Sequence, residues 1–322
     1  MIKIKYDIVA LGEILIDFTP CGKSQSGMKI FEQNPGGAPA NVLVSAQNFG
    51  AKTAFIGKVG KDMHGEFLKE TLEKYKVETK GLIIDEDVFT TLAFVTLNEK
   101  GERSFSFARK PGADTCLKKE EVDIELIKNS KIFHFGSLSL TNEPAKSATI
   151  YSVEEVHKAG IIVSYDPNYR ALLWKNRETA IKEMRSLIKY VDIMKLSDEE
   201  TTLLTGYEDP EKAGMELLNQ GVSVVFITLG AEGALLKTKK FQIKIKGKPC
   251  NVVDTTGAGD CFWGAILYKL SKSNKKICDL TEEDGREFLE FANGAAGICV
   301  ERRGAIPAMP QLEEVLNRIT AK

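Results

Sequence analysis

The sequence has 322 residues, 43% of them hydrophobic, enough to bury a large core and modestly more than one domain of usual size requires. Forty-four basic residues against 45 acidic ones leave a formal net charge of -1. With no long block of one sign, nothing resembles a nucleic-acid arm or a polybasic membrane anchor, and small neutral or anionic ligands fit better.

Six cysteines (Cys21, Cys116, Cys250, Cys261, Cys278, Cys299) are scattered without a C-x-x-C pair, in a chain too long to need disulfide staples; they read as reduced thiols of a cytoplasmic protein. Glu13 and Asp17 interrupt what would be the apolar region of a signal peptide, and no apolar stretch approaches a membrane span.

Short apolar runs at 8–11, 53–56, 132–135, 161–165, 192–196 and 224–229 read as strands, with helix-like segments between them. That rhythm predicts an α/β fold with a mostly parallel sheet covered on both faces, because parallel neighbours need a crossover and helices supply it. Two stretches, about 13–35 and 88–112, break the rhythm. In the second, 91–97 precedes a turn at 98–101, and 103–109 then alternates polar and aromatic residues, the pattern of a hairpin with one apolar face. The two excursions are expected to pair into a small sheet overhanging the strand ends as a lid. Segment 233–246 reads as a further antiparallel ribbon, and 262–270 and 286–299 as packed helices. The whole of 1–322 is expected to form one such domain with its lid.

Two segments stand out chemically. Asn34-Pro-Gly-Gly-Ala-Pro-Ala-Asn41 enters a helical stretch at 42–49. Its glycines let backbone approach a ligand, and Asn41 both donates and accepts, which suits a polyhydroxylated molecule; an ordinary Gly-Pro turn capping a helix is the competing reading. Asp254-Thr-Thr-Gly-Ala-Gly-Asp260 runs into an apolar helix whose first N–H groups and dipole would cradle an anion. Asp260 in that setting is either a helix cap or a base that takes a proton from a hydroxyl beside a transferring phosphoryl group.

Several chemistries have no footing. There is no G-x-x-x-x-G-K-[ST], no H-R-D or D-F-G set and no G-x-S-x-G, and the three histidines (His64, His134, His157) lack metal-ligand spacing. Polar islands fall at predicted strand ends: Asp17, Asp166-Pro-Asn-Tyr-Arg170, Lys195-Leu-Ser-Asp-Glu-Glu200 and Thr228-Leu-Gly-Ala-Glu-Gly233. Ser197 and Glu200 also match a capping box, so capping and function are both open there.

The pair Gly36-Gly-Ala-Pro-Ala-Asn41 and Asp254-Thr-Thr-Gly-Ala-Gly-Asp260, in this order, resembles the two signatures of the ribokinase-like PfkB carbohydrate kinases. Val59-Gly-Lys-Asp-Met-His-Gly65 and Gly304-Ala-Ile-Pro307 extend the likeness over essentially the whole chain. The resemblance implies a three-layer fold with a β lid and transfer of the ATP γ-phosphoryl group to a sugar hydroxyl. It implies Asp260 as base, backbone of Gly257, Ala258 and Gly259 as anion hole, and Asp17, Gly37 and Asn41 on the sugar, with Arg109, Asn168 and Arg170 counted beside them. Lys195, Thr228, Gly230, Gly233 and Asn293 fall to the nucleotide side. Glu200 would act on Mg2+ through water, although Ser197 replaces a frequent Asn, and Asp254 and Thr256 match part of a site for K+.

Within the family, the Gly-Gly-Ala-Pro-Ala-Asn variant, Asp166–Arg170 and Gly304–Pro307 lean towards fructose. Arg109 and Arg170 could instead meet the carboxylate of 2-keto-3-deoxygluconate, or pair with neighbouring acids. Ribokinase, aminoimidazole riboside kinase and a non-catalytic sugar-binding relative are the further alternatives. The lid rings Phe105 and Phe107 would exclude water, pack in the core or lie in a homodimer formed through the lid.

Overall fold

Six consecutive buried residues form β1 (Tyr6–Leu11), and they explain the architecture around them. Side chains alternate along a strand, so Ile8 and Ala10 enter one apolar core while Val9 and Leu11 enter a second on the opposite face. A strand buried on both faces needs helices on both sides. The structure is a computed structural model that describes residues 4–97 and 103–320.

In chain order the elements are β1, β2 (Leu15–Lys23), β3 (Lys29–Gly36), α1 (Ala38–Asn48), β4 (Thr53–Gly60), α2 (Met63–Lys74), β5 (Glu78–Asp85), β6 (Leu92–Leu97), β7 (Arg103–Ala108), α3 (Ile124–Lys128), β8 (Ser130–Gly136) and α4 (Ala145–Lys158). There follow β9 (Ile162–Asp166), α5 (Arg177–Ser186), β10 (Ile193–Ser197), α6 (Asp198–Thr205), α7 (Pro210–Asn219), β11 (Val224–Thr228), β12 (Ala234–Thr238), β13 (Gln242–Ile245), α8 (Ala258–Lys272), α9 (Glu282–Cys299) and α10 (Leu312–Thr320).

Among the described residues, nine strands make the main sheet in the order β13-β12-β11-β10-β9-β8-β1-β4-β5. From β5 to β11 all neighbours are parallel, and β12 and β13 add the antiparallel ribbon at one edge. Residues of α1, α8, α9 and α10 pack in the first core, and those of α4, α5, α6 and α7 in the second. The α/β expectation holds. The predicted runs lie within β1, β4, β8, β9, β10 and β11 to within a residue or two at their ends. Strand β5 was not anticipated: it is an edge strand, only partly buried, and lacks a continuous apolar run.

The chain leaves β1 towards β4 and β5 on one side and returns to β8 on the other, so the strand order reverses between β1 and β8. The crevice beyond the carboxyl ends of those strands is where open α/β sheets bind ligands. Above it lies the second sheet, in the order β3-β2-β6-β7. The β2–β3 and β6–β7 pairs are antiparallel, and β2 and β6 join them in parallel. Its strands come from the two irregular stretches, about 13–35 and 88–112. The predicted turn at 98–101 and the side chain of Phe105 lie outside the described residues; Phe107 is half-buried.

Candidate active site

The turn from β3 into α1 carries the first motif. Gly37 has φ 111°, and a Cβ there would lie 2.5 Å from the Glu13 carbonyl oxygen, so only glycine fits. Because Gly37 has no side chain to cap α1, Glu13 does so from the loop after β1: its Oε1 accepts from the Ala38 N–H at 2.9 Å. Glu13 is buried, and its Oε2 has no partner among the described residues. Burial pushes its carboxyl up to about 7, Asp114 adds to this, and the Ala38 N–H and Arg109 oppose it.

Helix α8 carries the second motif. Gly257 is its N-cap, in the left-handed region at φ 77°, and a Cβ there would meet the Ala305 methyl at 2.9 Å. The first intrahelical bond runs from the Cys261 N–H to the Gly257 carbonyl at 2.8 Å, while the Ala258 N–H leans on the Thr255 carbonyl at 3.3 Å. Asp254 braces the approach: its Oδ1 accepts from the Thr256 N–H (2.9 Å) and hydroxyl (2.7 Å), and its Oδ2 from the Gly304 N–H (3.1 Å). From below, the Trp263 indole N–H donates to Ser164 Oγ at 3.1 Å, and Ser164 also meets His134 Nδ1 at 3.0 Å. Burial depresses His134 to about 3, so this network is neutral and anchors α8 on β8 and β9.

These elements converge on Asp260. Its Oδ2 accepts from Asn41 Nδ2 at 2.8 Å and its Oδ1 from Asn168 Nδ2 at 3.3 Å. Asn168 reaches it from a residue held at φ 47°, a backbone conformation that Asn tolerates better than most side chains. Asp260 is buried; burial raises its pKa, with Lys195, the Asn41 hydrogen bond and Arg170 opposing and Glu200 adding. Asp17, on β2, is raised to about 6 by burial, with Arg170 opposing and Asp260 and Asp254 adding. The second sheet therefore delivers a carboxylate to the same crevice. Arg170 is exposed, donates to the Tyr169 carbonyl at 3.0 Å and forms no ion pair among the described residues.

A cluster of opposite charges lies beside Asp260. Lys195 Nζ, on β10, contacts Asp166 Oδ2 at 2.7 Å, and both side chains are almost wholly buried. Burial would lower the ammonium, but Asp166, Glu200 and Asp260 more than offset it and the net direction is up. Asp166 is pushed up to about 7, by burial first, against the pull of Lys195 and with Glu200 and Asp260 adding. Both directions agree with three carboxylates around one ammonium, a cluster that holds protons tightly. Glu200 completes the capping box of α6, with Oε2 accepting from the Ser197 N–H (2.8 Å) and hydroxyl (3.1 Å) and Oε1 from the Tyr169 N–H (2.7 Å).

Of the residues that the family resemblance gives to the nucleotide, Thr228 Oγ1 donates to the Leu196 carbonyl at 3.3 Å, and Gly230 opens the turn between β11 and β12. Gly233 and Asn293 meet at one atom: a Cβ on Gly233 would lie 2.0 Å from the Ile245 carbonyl oxygen, which accepts from Asn293 Nδ2 at 3.0 Å. Arg109 is placed otherwise than a free sugar ligand would be. It is buried, with Nε and Nη2 on Asp114 Oδ2 (2.9 and 2.7 Å), Nη1 on Thr141 Oγ1 (2.9 Å) and Nη2 also on the Leu138 carbonyl (3.0 Å). This is the pairing with a neighbouring acid that the sequence left open.

Two cavities, of about 460 and 510 Å3, open at the opposite, amino ends of the strands, around Lys5, Lys52 and Lys76 and around Lys128, Lys131 and Lys275. Neither lining includes a candidate residue, so the convergence of polar groups, not cavity volume, marks the site. Sequence reasoning missed Glu13 as a cap and Asp166 as the partner of Lys195. The missing signal was three-dimensional: each is one acidic residue in a loop or at a strand end until its partner is placed.

Residues 5–312 match the model of the pfkB family carbohydrate kinases, and the chain belongs to that family. It is 44% identical over 312 residues to the probable fructokinase-6, chloroplastic, of Arabidopsis thaliana, covering 96% of this chain and 81% of that one. A crystal structure of a fructokinase with bound ATP from Xylella fastidiosa superimposes with a TM-score of 0.90 at 32% identity, covering 97% and 98% of the two chains. A fructokinase double mutant from Vibrio cholerae, in its fructose, ADP and potassium ion bound form, gives a TM-score of 0.87 at 31% identity over 98% of each chain.

Proposed function

We propose that the protein is an ATP-dependent fructokinase, moving the γ-phosphoryl group of ATP to a hydroxyl of fructose. The observation that carries this reading is Asp260: a buried carboxylate at the first turn of α8, oriented by Asn41 and Asn168, in a crevice that Asp17 enters from the lid. Asp260 takes the proton of the attacking hydroxyl, and the N–H groups of the N-cap Gly257 and of Ala258 and Gly259 in the first turn of α8 receive the charge of the transferring phosphoryl group. Asp17, Gly37, Asn41, Asn168 and Arg170 hold the sugar. Thr228, Gly230, Gly233 and Asn293 line the nucleotide side.

The donor set fits a divalent ion bound with the nucleotide, since Asp166 Oδ1 is buried without a partner among the described residues and Glu200 presents a second carboxylate. Mg2+ would screen the phosphate charge there, with Glu200 meeting it through water. Asp254 and Thr256 suit a monovalent cation bracing the loop before α8. The internal pairing of Arg109 weakens the keto-acid alternative, which drew on both arginines. Met28 (67% exposed) and Ile30 (42%), at and beside the β2–β3 turn, support a homodimer through the lid, which a monomeric mass in solution would refute. Six free cysteines suit a cytoplasmic setting, and among the described residues no helix is long and apolar enough to cross a membrane.

The test is ADP release from ATP with Mg2+ and K+ across fructose, 2-keto-3-deoxygluconate, ribose and aminoimidazole riboside. Preference for fructose supports the reading; preference for another acceptor reassigns the substrate, and no turnover on any of them refutes it.

A further inference from the structure

Lys195 has a place in the site that the proposed phosphoryl transfer has not yet used. Its side chain rises from β10 into a buried position, pinned by the 2.7 Å contact with Asp166. A Cβ built on Gly259 would lie 3.0 Å from its Nζ and 3.7 Å from its Cε. The ammonium thus lies against the Cα of the glycine just before Asp260. A free lysine head could swing aside from a methyl group there, but this one would have to leave its ion pair in a buried site.

We propose that Lys195 is a positioning residue for the transfer: one fixed positive charge, anchored on Asp166, set against the glycine turn so that Asp260 stays ionised and Gly259 must remain glycine. The inference rests on the sugar-kinase reading above. Several charged groups act on Asp260 or Lys195: Asp17 from β2, Asp166 at the end of β9, Arg170 after it and Glu200 on α6, while Asp254 in the loop before α8 acts on Asp17. Arg170 is exposed, so Lys195 is the buried cation of the set, and among the opposing influences on Asp260 it ranks first.

Lys195→Met alone would strand the Asp166 carboxylate, so the variant to make is Lys195→Met with Asp166→Asn, a neutral pair of similar size. It should unfold thermally within a few degrees of wild type and bind fructose, and ADP in the absence of Mg2+, within about threefold as measured by calorimetry. Its kcat should nevertheless fall tenfold or more below that of Asp166→Asn alone, as for loss of an electrostatic group at a reacting centre, and the acid limb of its kcat profile should move to higher pH. A folded double variant with kcat within threefold of that of Asp166→Asn alone and a superimposable acid limb would overturn the proposal. Failure of the wild type to phosphorylate any acceptor would instead overturn the reading beneath it, and the catalytic role with it.

A second measurement needs no turnover. Gly259→Ala should lower the thermal midpoint clearly in the wild-type background and little in a Lys195→Ala/Asp166→Asn background, where the head group is gone. Equal losses in both would show that Lys195 does not dictate the glycine.

Discussion

Replacing Glu13 by Gln should make the protein more stable at pH 8 than at pH 5 relative to wild type, although the substitution adds no contact. Glu13 is 3% exposed, and burial moves its carboxyl from 4.5 up to about 7. The folded chain therefore keeps a proton that the unfolded chain releases between pH 4.5 and 7. Stability falls as pH rises through that window, the reverse of an ion-paired carboxylate, and the loss is complete above the folded value. At 1.36 kcal/mol per unit, the difference sets an upper bound of about 3.4 kcal/mol. Gln retains an oxygen to accept from the Ala38 N–H and cannot ionise, so it escapes this penalty. Urea unfolding followed by tryptophan fluorescence at pH 5 and pH 8 should show the Gln variant gaining about 2–3 kcal/mol on wild type between the two. Glu13→Ala, which loses the acceptor altogether, should cost about 1 kcal/mol more than Gln at both pH values. A Gln-to-wild-type difference independent of pH would refute the buried, protonated acid.

Asp260→Asn should lower kcat by roughly a hundredfold or more with nucleotide affinity little changed, as for loss of a general base; near-normal turnover would remove it from that role. Since Asp17 is raised to about 6 and an ionised carboxylate accepts more strongly from hydroxyls than a protonated one, its proposed place on the sugar predicts that kcat/KM for fructose falls as pH drops through about 6, and that Asp17→Asn abolishes that dependence. Arg109→Met strands Asp114 in a buried site and should cost about 3–5 kcal/mol of stability, with little effect on which acceptor is preferred; a shift in acceptor preference without destabilisation would restore Arg109 to the sugar site. Rates measured with K+ and with an inert larger cation should differ if Asp254 and Thr256 hold a monovalent ion, and identical rates would exclude that site's role.

The main fold was legible because strands buried on both faces, such as β1 and β8, must be written as continuous apolar runs, and because helices must separate parallel neighbours. The same logic hid β5, whose edge position lets polar residues into half of its surface. The two glycine motifs and Asp260 were legible too, since a backbone conformation that excludes a Cβ, as at Gly37 and Gly257, leaves a letter in the chain. Pairings were not. That Arg109 turns to Asp114, that Lys195 rests on Asp166, and that Glu13 caps a helix 25 positions along the chain depend on which strand ends the topology brings together. Charge on a side chain is a local property, readable one residue at a time; whether that charge is desolvated, paired or shared is decided by neighbours distant in sequence, and only the tertiary structure supplies them.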